Sequence, residues 1–128
     1  MTTRTRSRVE AAEMRVLRMI AEVSRLEKRR SAEIREELRV ESVLILVERR
    51  WLSWFGHLKR MEGTRYPARF FELRPRGKRP SGRPRQRWMD CLEKAVERRG
   101  TTMEAIEEEE LFLNRQWWRG FANDRALP

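Results

Sequence analysis

The sequence predicts an all-α fold, a small bundle of about five helices interrupted by a basic segment rich in proline and glycine. Apolar residues recur at helical spacing in the first and last thirds of the chain, and an unusually apolar run occupies 43–61. Charged residues make up 39% of the 128 residues, against roughly 25% in an ordinary globular domain. This composition favours an extended helical shape with much solvated surface.

The first part of the chain, 9–61, is predicted to be an N-terminal helical part that follows a disordered stretch over 1–8. Apolar residues spaced by three and four predict a helix from Val9 to Val23. Ser31 is a suitable N-cap for a second, short helix over 32–39.

The apolar run is predicted to form a largely buried helix that Ser42 caps and that extends to about residue 61. Trp51, Trp54 and Phe55 lie at helical spacing within it, which is typical of core residues. Gly56 in the middle of a helix costs about 1 kcal/mol relative to alanine, and this predicts a close approach of another group to the backbone.

A C-terminal helical pair is predicted over 87–122, followed by a tail over 123–128. The first helix, 86–99, carries an apolar stripe that begins at Trp88, and Gly100 follows it where a C′ glycine belongs. Thr101 and Glu104 have the spacing of a capping box, which predicts a last helix over 102–121. The predicted structural core is formed by Trp51, Trp54, Phe55, Trp88 and Trp118.

Between these parts lies a basic arm, 62–86, whose prolines and glycines predict extended or turning backbone. From 65 to 87 the chain has nine basic residues and one acidic residue, a formal charge of 9 − 1 = +8, whereas the whole chain is +10. The basic residues are Arg65, Arg69, Arg74, Arg76, Lys78, Arg79, Arg83, Arg85 and Arg87. The aromatic residues Tyr66, Phe70 and Phe71 are predicted to attach the first part of the arm to the core.

Local positive charge on an extended backbone predicts binding to a polyanion, with nucleic acid as the main candidate. Arginine supplies paired donors for phosphate, and Gly82-Arg-Pro84 resembles arms that lie in the DNA minor groove. Two other interpretations stay open. In these interpretations the arm serves as a nuclear-import signal or as a solvated linker.

Catalytic chemistry is not predicted. His57, the single histidine, is a candidate general base, but no nucleophile or carboxylate pattern accompanies it, and a structural role or contact with phosphate fits it better. Neither metal ligands at suitable spacing nor a cofactor motif occurs, and the acidic run 107–110 is interpreted as a solvated helix face. We expect no cofactor and no small-molecule substrate.

Cys91 is the single cysteine, so an internal disulfide is impossible and a reducing compartment, nuclear or cytoplasmic, is expected. No apolar run approaches the roughly 20 residues that span a bilayer, so a membrane partner is not expected.

The ordered series of these residues resembles the C-terminal region of non-LTR (LINE-type) retrotransposon reverse transcriptases. The resemblance extends from about residue 11 to residue 121, and its central portion is specific. The matching elements are Glu13 to Arg18, Ile34-Arg35, Trp54-Phe-Gly-His57, Arg60-Met61, Arg65, Pro67, Gly77-Lys-Arg79, Gly82-Arg-Pro84, Arg87-Trp88, Asp90, Arg115 and Trp118-Arg119.

The resemblance implies a non-catalytic domain that helps to hold template RNA or target DNA during target-primed reverse transcription. The basic residues of the arm, with His57 and Arg60, would make those contacts. The Asp-Asp pair of a polymerase palm does not occur in this sequence, and Asn114 stands where the family usually has aspartate. The chain therefore resembles a truncated copy, or an open reading frame derived from a transposon.

Two alternatives belong to other classes. A small helical adaptor could bind a protein through a tryptophan-rich face and use the arm for nuclear import, which exposure of Trp117 and Trp118 would favour. An open reading frame of transposon origin could also lack any selected function.

Overall fold

The computed structural model describes residues 2–73, 82 and 87–124. These residues form helices and connecting turns with no strand among them, so the all-α prediction is confirmed. The helices are α1 (Thr3–Ile20), α2 (Ser31–Glu37), α3 (Val43–Lys59), α4 (Tyr66–Glu72), α5 (Trp88–Glu97), α6 (Met103–Glu108) and α7 (Arg115–Asn123), with a 3₁₀ turn at Arg25–Glu27. Within the described ranges, no helix combines the length and the apolar content that crossing a bilayer requires.

The chain divides into two compact units, Met1–Glu48 and Arg49–Pro128. The boundary falls inside α3, so the first part of this helix belongs to unit 1 and the rest to unit 2. The division differs from the predicted one after residue 61, because the apolar residues in the second part of α3 pack with the C-terminal helices.

Unit 1 begins with a helix where disorder over 1–8 was expected, and that expectation is corrected. α1 starts at Thr3 because Thr2 caps it: its side-chain oxygen accepts a hydrogen bond from the backbone N–H of Thr5 at 3.3 Å. The Arg6 guanidinium also lies 3.7 Å from the buried carboxylate of Glu48.

The core of unit 1 is a small cluster of Met14, Leu17, Val23 and Ile34. Glu13, beside this cluster, joins three elements. Its carboxylate accepts hydrogen bonds from Arg35 at 2.7 Å and from the backbone N–H of Val43 at 2.9 Å. The second bond satisfies an N–H at the start of α3 that has no partner within the helix.

The core of unit 2 is larger and is centred on α3, α5 and α7. Its buried members are Leu52, Phe55, Leu92, Ala95, Val96, Met103, Ile106, Trp118 and Ala122. Trp51 and Trp88 are partly buried and pack against this cluster. Trp54 was also predicted to be a core residue, but its side chain is 47% exposed. Successive helical residues turn by about 100°, so Trp54 points about 100° away from Phe55 and about 160° away from Leu52, the two residues that α3 directs into the core.

Gly56 allows a close approach of Trp118 to the backbone of α3, as its position in mid-helix predicted. A Cβ atom placed on Gly56 would overlap the indole ring of Trp118 at Nε1 and Cδ1. The same indole N–H donates a hydrogen bond to the backbone carbonyl of Leu52 at 2.8 Å. A buried indole N–H needs a hydrogen-bond acceptor, and the carbonyl of Leu52 provides one for Trp118.

The predicted last helix, 102–121, is two helices. α6 starts one residue later than the capping box predicted, because Thr102 supplies the cap to Ala105 N–H. It ends at Glu108, and α7 starts anew after Asn114, whose side-chain oxygen accepts hydrogen bonds from the backbone N–H groups of Gln116 and Trp117. An aspartate side chain could supply the same oxygen, so this cap does not require asparagine at position 114.

Several helices end in a left-handed residue that is not glycine. Glu22, Arg39 and Glu110 have φ of 54°, 53° and 48° and follow α1, α2 and α6. In each case the next residue donates its N–H to the carbonyl five residues back, which is the long bond of a Schellman motif. Gly100 after α5, with φ of 77°, is the one such end that the sequence predicted.

We expect Gly56→Ala to destabilise the protein by about 1–3 kcal/mol, because the methyl group would displace the Trp118 indole from a filled site. Gly120→Ala is the matched control. Gly120 lies inside α7 with open space beside it, so alanine there should stabilise by about 0.5–1 kcal/mol. Urea unfolding of both variants measures the difference. Equal stability of the two variants would contradict the contact between Gly56 and Trp118.

Candidate nucleic-acid interface

All residues predicted to contact nucleic acid belong to unit 2. The structure describes five of them, namely His57, Arg60, Arg65, Arg69 and Arg87. The other six, Arg74, Arg76, Lys78, Arg79, Arg83 and Arg85, lie outside the described residues.

The start of the basic arm is helical, which corrects the expectation of extended or turning backbone over all of 62–86. α4 forms because Pro67 lies in its first turn, where the missing N–H removes no helical hydrogen bond. Ala68 is buried and places this short helix on unit 2. Arg65, the N-cap residue, and Arg69 are both exposed.

One aromatic side chain attaches α4 to the core. The ring of Phe71 contacts Phe55, with centroids 6.0 Å apart, and contacts the ring of Trp88 edge-on at 6.1 Å. Tyr66 and Phe70 were expected to help but are 73% and 68% exposed. Phe71 lies at the end of α4 and Trp88 at the start of α5, so their contact holds the two ends of the intervening basic sequence together.

Arg87 immediately precedes α5 and is exposed. Its backbone N–H donates a hydrogen bond to the carboxylate of Asp90 at 2.8 Å, which fixes the first turn of the helix. The backbone of Arg87 is thus held while its side chain remains at the surface, next to the point where the basic sequence rejoins the core.

Arg60 is used within the fold. Its Nη1 donates a 2.6 Å hydrogen bond to the backbone carbonyl of Phe112, and its side chain is half-buried. Burial, and then the positive charge of Arg115, lower the pKa of Arg60 from its usual value. Next to it, Lys59 forms a 2.7 Å ion pair with Glu107, the first of the four acidic residues. Lys59 thus links the end of α3 to α6, and Arg60 links it to the turn between α6 and α7, so the Arg60 side chain has a structural contact within unit 2.

His57 is exposed on the opposite side of α3 from the core. Its ring lies 5.4 Å from that of Trp54 at an angle of 42°, so the two form a polar and aromatic pair at the surface. Among the described residues, no group of three or more histidine, cysteine, aspartate or glutamate side chains is arranged to hold a metal ion.

Comparison of the chain with models of protein families, with curated proteins and with solved structures gives no match. The function is therefore inferred from the residues of this chain.

Sequence reasoning missed two features of this surface. It did not anticipate that Arg60 binds a backbone carbonyl, because the partner lies 52 positions away. It also assigned Tyr66 and Phe70 to the core. Their spacing of four, with Arg65 and Arg69 each one position earlier, was the available signal for a helical surface that carries both rings and cations.

We expect Arg60→Met to destabilise unit 2 by about 1 kcal/mol, because the half-buried carbonyl of Phe112 would lose a charged donor. Arg65→Met removes the same charge from an exposed position and should change stability by no more than about 0.5 kcal/mol. Chemical denaturation of the two variants provides the comparison. A loss of stability in Arg65→Met as large as that in Arg60→Met would argue against the structural assignment of Arg60.

Proposed function

We propose that this chain binds the phosphate backbone of RNA or DNA through its basic segment and has no catalytic activity of its own. The observation that carries the proposal is the concentration of charge: residues 65–87 hold a net +8 of the +10 of the whole chain. The contact between Phe71 and Trp88 supports it, since it holds the two residues that flank the stretch 72–87 at one place on unit 2.

Holding the ends together matters for affinity. Each cation that neutralises a phosphate releases a condensed counterion, which is the main source of sequence-tolerant binding to nucleic acid. A sequence fixed at both ends keeps its cations near one another, so a polyanion that meets the first finds the others at high local concentration.

The resemblance to the C-terminal region of LINE-type reverse transcriptases points in the same direction. In that context the chain would hold template RNA or target DNA for a polymerase, as a fragment of retrotransposon origin. Its compartment would be the nucleus or the cytoplasm.

A second candidate, a protein-interaction adaptor, is favoured by one observation in unit 1. Val16, Met19 and Ile20 of α1 are exposed, and neighbouring exposed apolar side chains commonly mark a surface that contacts another protein. The two tryptophans favour it only in part: Trp117 is 38% exposed while it stacks on Phe121 with centroids 5.1 Å apart, but Trp118 is buried.

The test is a salt titration of binding, followed by fluorescence anisotropy, with single-stranded RNA, single-stranded DNA and duplex DNA. If about six cations contact phosphates, the plot of log affinity against log salt should have a slope of about −4 on single strands and about −5 on duplex. Changing Lys78, Arg79, Arg83 and Arg85 to Ala should make the single-strand slope shallower by about 3, because four contacts are lost.

The matched control removes the same number of charges elsewhere. Arg4, Arg8, Arg15 and Arg25 are exposed in unit 1, and changing them to Ala should leave the slope close to that of the wild type. Equal effects of the two quadruple variants would show that net charge, and not the basic segment, determines binding. Weak binding that is indifferent to salt would overturn the proposal and favour the adaptor.

A further inference from the structure

Two aromatic rings stand side by side on the exposed surface of α4. Tyr66 and Phe70 are four residues apart, their ring centroids are separated by 6.5 Å, and their planes are inclined by 32°. The core does not use them, since Ala68 and Phe71 make the buried contacts of this helix. Exposure of two large rings on one short helix is costly in water, so it calls for a ligand that covers them.

Two guanidinium groups flank these rings. Arg65 and Arg69 are exposed and also four residues apart, each immediately before one of the aromatic residues. Arg65 caps α4 and Arg69 lies within it, so each cation lies next in the chain to a ring-bearing residue of this helix. The surface therefore combines flat apolar faces with donors that suit phosphate.

We propose that the exposed surface of α4, formed by Arg65, Tyr66, Arg69 and Phe70, is a stacking platform for the unpaired bases of single-stranded nucleic acid. The proposal rests on the proposed function and adds to it a preference for single strands. Unpaired bases stack on the rings of Tyr66 and Phe70, while the guanidinium groups of Arg65 and Arg69 hold the adjoining phosphates. A duplex offers only phosphates here, because its base faces are already covered by neighbouring bases.

Charge complementarity selects this occupant over an apolar protein surface. A hydrophobic partner would cover the two rings, but it would also take two arginine side chains out of water without compensating them. A single strand satisfies both kinds of group. In the sequence, the rest of the basic segment follows directly after α4.

The experiment compares the full-length wild type on an ordinary single strand and on an abasic strand of equal length, which has the same phosphates without bases. Fluorescence anisotropy at fixed salt should show binding to the ordinary strand about 25-fold tighter, the product of a roughly fivefold gain at each ring. Tyr66→Leu combined with Phe70→Leu should abolish this preference. It should leave binding to the abasic strand and the salt slope unchanged, because no charge is removed.

A matched control changes Met19 and Ile20 to Ala. Both are exposed apolar residues in unit 1, so their removal should leave the preference for bases unchanged. Circular dichroism establishes that each variant retains its helices. Single-stranded RNA and single-stranded DNA are measured in parallel to decide which of them supplies the bases.

The outcomes separate the two proposals. Steep salt dependence with equal wild-type affinity for ordinary and abasic strands would overturn the platform and leave the proposed function standing. A base preference that survives the Tyr66 and Phe70 substitutions would also overturn it, because the rings would then lie elsewhere. Absence of salt-dependent binding to every strand would remove the proposed function itself.

Discussion

The packing of Trp118 against Gly56 is the contact on which unit 2 depends. The indole lies directly on the backbone of α3 and donates its N–H to the carbonyl of Leu52, 66 positions earlier in the chain. Closing so long a loop has an entropic cost, which burial of the largest side chain in the core offsets. Only glycine leaves room for this approach, so one small residue determines where α7 can pack.

From this contact a continuous series of aromatic rings leads to the basic segment. Trp118 contacts Phe55 at 5.8 Å between centroids, Phe55 contacts Phe71 at 6.0 Å, and Phe71 contacts Trp88 at 6.1 Å. The series links α7, α3, α4 and α5 in turn. Because it ends at Phe71 and Trp88, packing in the core holds together the two residues that flank the stretch 72–87.

Arginine has different uses in this chain according to its surroundings. Arg60 and Arg99 donate to backbone carbonyls, of Phe112 in the first case and of Phe121 and Ala95 in the second, and so hold elements of unit 2 together. Arg65 and Arg69, on a short surface helix, remain exposed. A basic composition therefore overstates the number of cations that a polyanion can reach, and the local density of charge is the better guide to function.

The sequence by itself determined the helical class, the place of the basic segment and the close approach at Gly56, because periodicity, charge and glycine placement are local properties of a chain. It could not determine which of Tyr66, Phe70 and Phe71 is buried, or that Trp54 is exposed. Neighbouring positions on a helix differ by about 100°, and only the packed partner decides which of them faces inward. The left-handed helix ends at Glu22, Arg39 and Glu110 also escaped prediction, since none of them is the glycine that usually marks such an end.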